Sequence, residues 1–159
     1  VPTYSATARI AAAPREIFNR LDDQEKLAAH MTRNSAMMGG GRMIYEFDAL
    51  AGRAVGSHIR MGGDAFGVRL FMDEVVTVRE PPRRKAWATT GDVRLLVLSG
   101  YRMGFDVEPA GPGSDLTVWI DYDLPRNPFV GLAVAPMAKL YARWCVDRMM
   151  ADARGALTR

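Results

Sequence analysis

The last thirty residues restrict this chain more than any other stretch. From Phe129 to Leu157, beyond Gly131 at the start, there is one proline, Pro136, and one late glycine, Gly155, so the segment can run as a single long helix. Met137, Leu140, Tyr141, Trp144, Cys145, Met149, Ala153 and Ala156 recur at helical spacing and predict an apolar stripe. Lys139, Arg143, Asp147, Arg148 and Asp152 fall on the other side, with Arg143/Asp147 and Arg148/Asp152 four residues apart, where opposite charges meet. A stripe of Trp, Tyr and Met has to be covered. The segments upstream are the candidates for that cover, and nearly all of them read as strands.

Tyr4 to Ala11 alternates and predicts a first strand. Pro14 suits the first turn of a helix, Glu16 complements its positive end, and Ile17, Phe18 and Leu21 give it an inner face. Asp22 and Asp23 can cap a second short helix, Gln24 to His30, with Leu27 inward. A loop from Thr32 to Gly41 follows, carrying Met37, Met38 and three glycines. From Arg42 the period changes to two, predicting strands at Arg42–Leu50, Val55–Gly62, Val68–Glu80, Arg84–Thr90, Leu95–Glu108 and Asp115–Leu124. The gaps are short and hold turn chemistry: Ala51-Gly52, Gly62-Gly63-Asp64, Pro81-Pro82, Gly91-Asp92, and Pro109 to Ser114. Gaps of that length cannot hold a parallel crossover, so consecutive strands should pair antiparallel.

The last hairpin carries its own check. A turn centred near Gly111–Pro112 sets Tyr101 opposite Tyr122, Met103 opposite Ile120, Phe105 opposite Val118 and Val107 opposite Leu116, an apolar face throughout. The same register puts Arg102 near Asp121 and lays Trp119 over bare Gly104. Asp121 and Asp123 then become solvent-side charges instead of a catalytic pair.

At 159 residues the chain is long enough for one domain, 1–159, with a sizeable core. No segment is expected to approach the roughly 20 apolar residues of a membrane span, and Val1 to Ile10 lacks a secretory layout. The net charge of +3 comes from dispersed arginines. The one short cluster, Arg83-Arg84-Lys85, is expected to be a solvated turn beside a strand, and no nucleic-acid-binding motif surrounds it. Cys145 stands alone on the apolar side of the last helix, which rules out an internal disulfide and makes the cytoplasm the default location. Two histidines and one cysteine, widely spaced, offer no metal-ligand pattern. Gly39-Gly40-Gly41 follows a helix and precedes a strand, the reverse of a phosphate loop; a flap in which Met37 and Met38 close over a ligand is the functional alternative to a loose turn.

The order strand, two short helices, six antiparallel strands and long C-terminal helix, with Ala13-Pro14-Arg15-Glu16-Ile17-Phe18 opening the helices, resembles the START and birch-pollen-allergen type helix-grip superfamily. This clan is also called SRPBCC and includes polyketide cyclases. Glu80-Pro81-Pro82-Arg83 with Trp87, and the exit Tyr122-Asp123-Leu124-Pro125, are similar to its bacterial members. The resemblance implies an α+β fold in which a curved antiparallel sheet of about seven strands wraps the long helix and leaves a cavity for an apolar ligand. No cofactor is expected, and the resemblance does not choose among carriers, receptors and cyclases.

For that cavity the sequence offers Met43, Tyr45 and Phe47 on one strand and Tyr101, Met103 and Phe105 on another. Ile59 and Met61, Trp87, and Met137, Tyr141 and Trp144 on the helix complete the expected lining. Arg60, Glu74, Tyr101 and Tyr45 are the candidates for an acid or base. Arg60 and Glu74 could form a buried ion pair if both faced inward, but pairing with the preceding strand favours Ile59 and Met61 inside. A bulge near Val75–Val76 would decide the direction of Glu74. His58 lacks a relay with Ser57 and Asp73, and His30 is expected at the surface or the cavity mouth. The functional expectation is binding of a hydrophobic or amphipathic small molecule, whether lipid, quinone, polyketide or steroid-like. The alternatives are a cyclase/dehydrase-like enzyme, and a lipid chaperone touching a membrane or partner through the Met37–Gly41 loop and the cationic helix face. Monomer and homodimer are both compatible.

Overall fold

The computed structural model describes residues 1–27 and 43–157. Its elements in chain order are β1 (Thr3–Ile10), α1 (Pro14–Asp22), α2 (Gln24–Leu27), β2 (Met43–Phe47), β3 (His58–Ala65), β4 (Val68–Glu80), β5 (Arg84–Arg94), β6 (Gly100–Ala110), β7 (Gly113–Asp123) and α3 (Pro128–Leu157). The strands form one antiparallel sheet in the order β1-β7-β6-β5-β4-β3-β2. Six strands follow one another as neighbours; β1 alone crosses, pairing with β7 at the far edge. The sheet's inner face and α1 close over α3, giving the α+β helix-grip arrangement.

The β6–β7 hairpin has the register its side chains demand, from Tyr101 opposite Tyr122 to Val107 opposite Leu116. Its outer face sets Gly104 against Trp119, where a Cβ would lie 2.7 Å from the indole ring. The indole Nε1 donates to Asp106 at 3.1 Å, which holds the ring in place over the backbone.

Two turns differ from expectation. Gly62 and Gly63 stay inside β3, paired with Phe71 and Leu70, and the chain reverses at Phe66–Gly67 instead. Both turn residues have positive φ, 51° and 75°, the two-residue turn whose twist matches that of the flanking strands. Gly91-Asp92 is also no turn. Phe71 pairs with Arg94 while Asp73 pairs with Thr90, so β5 carries extra residues there and Gly91, at φ 66°, makes a bulge. The bulge anticipated around Val75–Val76 lies between Val76 and Val78 on β4.

The inner face of α3 needs a correction. After Gly131 in its first turn, Ala138, Ala142, Val146, Met149, Met150 and Ala153 are the buried residues, whereas Met137 is 53% exposed and Leu140 faces solvent. One residue is a rotation of about 100°, and the helix has turned its small side chains inward. The sheet's concave face is already filled by Trp87, Phe105 and Met103, so alanines allow the approach that larger side chains would block.

The α1–α2 corner also differs. Asp23 caps α2 as expected, accepting from the Lys26 amide at 3.2 Å. Asp22 instead turns inward and receives Arg79 Nη2 at 2.8 Å and Lys85 Nζ at 2.9 Å. Lys85 also donates to the Asp22 carbonyl at 3.1 Å, and its side chain is fully buried. Lys85 is therefore no solvated turn charge. It enters the interior because Asp22 is there to pair with it, and buried charges persist only when paired.

Candidate ligand cavity

Because side chains alternate along each strand, every second residue of β2 to β6 points at α3. Ile59 and Met61 on β3, Met72 and Glu74 on β4, Trp87 on β5, and Tyr101 and Met103 on β6 reach one cavity of about 70 Å³. Tyr45 on β2, Ile120 on β7, Gln24 at the start of α2, and Tyr141, Cys145 and Met149 on α3 close it. The wall is mostly apolar, and its four methionines make it deformable.

The polar groups are few and closely matched. The Tyr101 hydroxyl donates to Glu74 Oε2 at 2.5 Å and lies 3.4 Å from Met72 Sδ. Glu74 is 4% exposed. Burial drives its carboxyl up to about 7, with a smaller push from the Asp73 charge, while hydrogen bonds from Tyr101 and Trp87 act the other way. Glu74 therefore changes protonation near neutral pH. Burial raises the Tyr101, Tyr45 and Tyr141 hydroxyls well above their usual range, and the Glu74 charge adds to the effect in each. All three stay neutral donors. Burial likewise raises Cys145 to about 12 despite its hydrogen bond with Tyr141, so this thiol is a wall atom and no nucleophile.

Gln24 adds an unmet need. The residue is buried, lines the cavity, and its Nε2 has no hydrogen-bond partner among the described residues. Leaving a buried donor unpaired costs roughly 1–3 kcal/mol, which an acceptor oxygen in the cavity would offset. Together these groups can hold an oxygen acceptor by neutral donors and can give or take one proton at Glu74. Among the described residues no group of three or more His, Cys, Asp or Glu is arranged to hold a metal.

Of the residues named from sequence, Tyr45, Ile59, Met61, Trp87, Tyr101, Met103 and Tyr141 meet at the cavity. Phe47 packs beside Ile59 and Met61, and Trp144 lies 5.8 Å from Tyr141, ring to ring, both behind the lining. Phe105 is deeper, fully buried against Phe18 at 5.6 Å and Trp87 at 6.5 Å, so it supports the wall without reaching the cavity. Met137 faces away. Arg60 lies on the outer face of β3, where the alternation that buries Ile59 and Met61 exposes it, so it forms no pair with Glu74. His58 is on the same outer face, 3.1 Å from Asp73. The Met43 side chain, His30 and the Met37–Gly41 loop lie outside the described residues. Met72 and Ile120 follow from strand alternation once Glu74 and Met103 are placed, and Cys145 and Met149 were already on the apolar stripe. Nothing in the sequence marked Gln24.

A family profile described as polyketide cyclase / dehydrase and lipid transport matches residues 2–157. The chain belongs to this family. No curated protein sequence matches it. Among solved structures, TTHA0849 from Thermus thermophilus aligns with a TM-score of 0.69 at 18% identity, covering 99% of this chain and 97% of that one. The di-domain aromatase/cyclase StfQ of the steffimycin biosynthetic pathway aligns at 0.69 and 14% identity, over 98% of this chain and 50% of that one. Ara h 8.0201 aligns at 0.56 and 13% identity, over 94% and 98%. At such identities the likeness is one of fold, and the family member's chemistry has to be read from its own cavity.

Proposed function

We propose that this family member binds a small, mostly apolar molecule bearing at least one acceptor oxygen, held between the sheet and α3. The observation that carries the reading is a buried carboxyl, Glu74, hydrogen-bonded to Tyr101 inside a mostly apolar cavity that Gln24 also lines, its amide nitrogen unpartnered among the described residues. Apolar walls with a few convergent polar groups are what small-molecule sites present. The family description, which includes lipid transport, supports the same direction. At about 70 Å³ the cavity is smaller than the roughly 300–1,000 Å³ of drug-sized sites, so a single ring or short chain enters with least rearrangement. A polyketide- or steroid-sized occupant requires Met61, Met72, Met103 and Met149 to part. We place the protein in the reducing cytoplasm on account of its single free thiol.

Native mass spectrometry of gently purified protein, followed by extraction, tests the proposal. Bound molecules with an apolar body and a carbonyl or hydroxyl support it. Failure of every apolar probe to bind contradicts it.

A second reading, cyclase- or dehydrase-like catalysis, is favoured by one observation: Glu74 is poised at about 7, where a general base works best. Glu74 carboxylate would take a proton from a carbon next to a carbonyl, while a neutral tyrosine donates to the oxygen that gains the charge. Turnover of a carbonyl compound would then rise with pH through that value and vanish in Glu74→Gln.

A further inference from the structure

The outward face of α3 changes character halfway along. Over its last turns it is charged, with Asp147, Arg148 and Arg154 exposed. Over its first four turns it is apolar. Phe129 is 84% exposed and Leu132 79%, and Pro136, Met137 and Leu140 continue the same exposed side at helical spacing. Between Asp123 and Asp147 the chain carries Arg126, Lys139 and Arg143 and no carboxylate. A single exposed leucine needs no explanation, but a contiguous apolar stripe with exposed Arg126 and Lys139 beside it does.

We propose that this half of α3 is a docking surface for an anionic lipid bilayer, lying in the plane of the interface. An exposed apolar stripe sinks into the boundary between headgroups and acyl chains, and bordering Lys and Arg attract anionic headgroups. Charge argues against a second copy of the chain: a twofold contact would bring the exposed Arg126 and Lys139 of both copies together, while Arg143 is already stacked over the Tyr4 ring beside Asp147. Spanning is excluded as well. Contrary to the expectation from sequence, the helix is long and apolar enough to cross a membrane by length and composition, but Ala138, Ala142 and Val146 are wholly buried within the domain, so it cannot leave without unfolding it. The surface lies on the helix that supplies Tyr141, Cys145 and Met149 to the cavity, yet the proposal does not depend on what the cavity holds.

Co-sedimentation of the full chain with phosphatidylcholine/phosphatidylserine vesicles, against vesicles of phosphatidylcholine alone, tests it. Retention is expected on the anionic vesicles and should weaken as salt rises. Phe129→Ser with Leu132→Ser should reduce retention about tenfold or more, and Arg126→Glu with Lys139→Glu by a similar factor, at unchanged melting temperature. The same charge reversal at the exposed pair on β4 and β5, Arg69→Glu with Arg94→Glu, should leave retention within about twofold. No retention on anionic vesicles, or retention indifferent to the Phe129/Leu132 substitutions, overturns the proposal. So does a vesicle-free dimer, seen by sedimentation equilibrium, that those substitutions dissolve.

Discussion

Asp22 and Glu74 are both buried carboxylates, and their surroundings divide the molecule into two regions. Asp22 sits at the α1–α2 corner above a close-packed core in which Ile17, Phe18, Leu21, Phe105 and Val118 are essentially inaccessible. Burial alone would raise its carboxyl, but hydrogen bonds from Arg79 and Lys85 outweigh that and hold it below the usual range. Glu74 sits in the second region, among methionines and tyrosines around a cavity, with no cation among the described lining residues and its carboxyl at about 7. One carboxylate is fully answered by its own chain and serves stability. The other is answered only by neutral donors, the Tyr101 phenol and the Trp87 indole, and that imbalance is what a ligand or a proton can use.

The difference can be broken most severely in the packed region. Phe105→Ala should lose about 3–5 kcal/mol, because the ring is locked between Phe18 and Trp87 and the space cannot collapse. Chemical denaturation measures this. Lys85→Met comes next, at about 3 kcal/mol, since Asp22 would lose one of its two cations while staying buried. A loss below about 1 kcal/mol would show that Arg79 alone satisfies it.

The pH dependence should separate the two carboxylates by sign. Asp22 is depressed in the folded state, so its contribution is present above the unfolded carboxylate range and is lost as pH falls through its folded value. Glu74 is raised, so the folded state binds the extra proton between 4.5 and about 7. Stability should therefore fall as pH rises across that window, by up to about 3 kcal/mol, and then level off. Glu74→Gln should flatten that limb and leave the acid limb unchanged, as read by urea midpoints across pH. Truncations beside the cavity should cost less. Met103→Ala, next to existing empty space, should lose about 2 kcal/mol, the low end for such changes, again by chemical denaturation. The smallest effect is expected from Tyr101→Phe, about 1 kcal/mol. Its sharper readout is the Glu74 carboxyl itself, which should titrate higher without the Tyr101 hydrogen bond.

The same division decides how much the sequence revealed. Pairing of β6 with β7 could be read directly because both faces of the hairpin discriminate, so only one register satisfies Arg102, Gly104 and the aromatic face together. The inward direction of Ile59 and Met61 was readable by alternation even though the turn beyond them is at Phe66–Gly67 and not at Gly62–Gly63. The α3 face was misread because hydrophobicity marks two sides of its first half. Met137 and Leu140 are as apolar as a core demands, but only the alanines are small enough for the helix to approach the sheet. Lys85 and Asp22 were missed for a different reason. Each looks like a surface charge alone, and 62 residues of intervening chain hide the pairing that makes burial tolerable. Gln24 enters the cavity through a tertiary contact that no local pattern announces.

The most direct test of the cavity as a binding site uses the methionines as reporters. Met61, Met72, Met103 and Met149 line it, while Met137 lies on the exposed face of α3. Carbon-13 methyl NMR should be recorded while naphthol or decanoate is titrated into detergent-free protein. Binding between sheet and helix predicts saturable shifts of the four lining methyls with Met137 fixed, and weaker binding in Glu74→Gln. Shifts at Met137 alone, or none at any lining methyl for either probe, would contradict it.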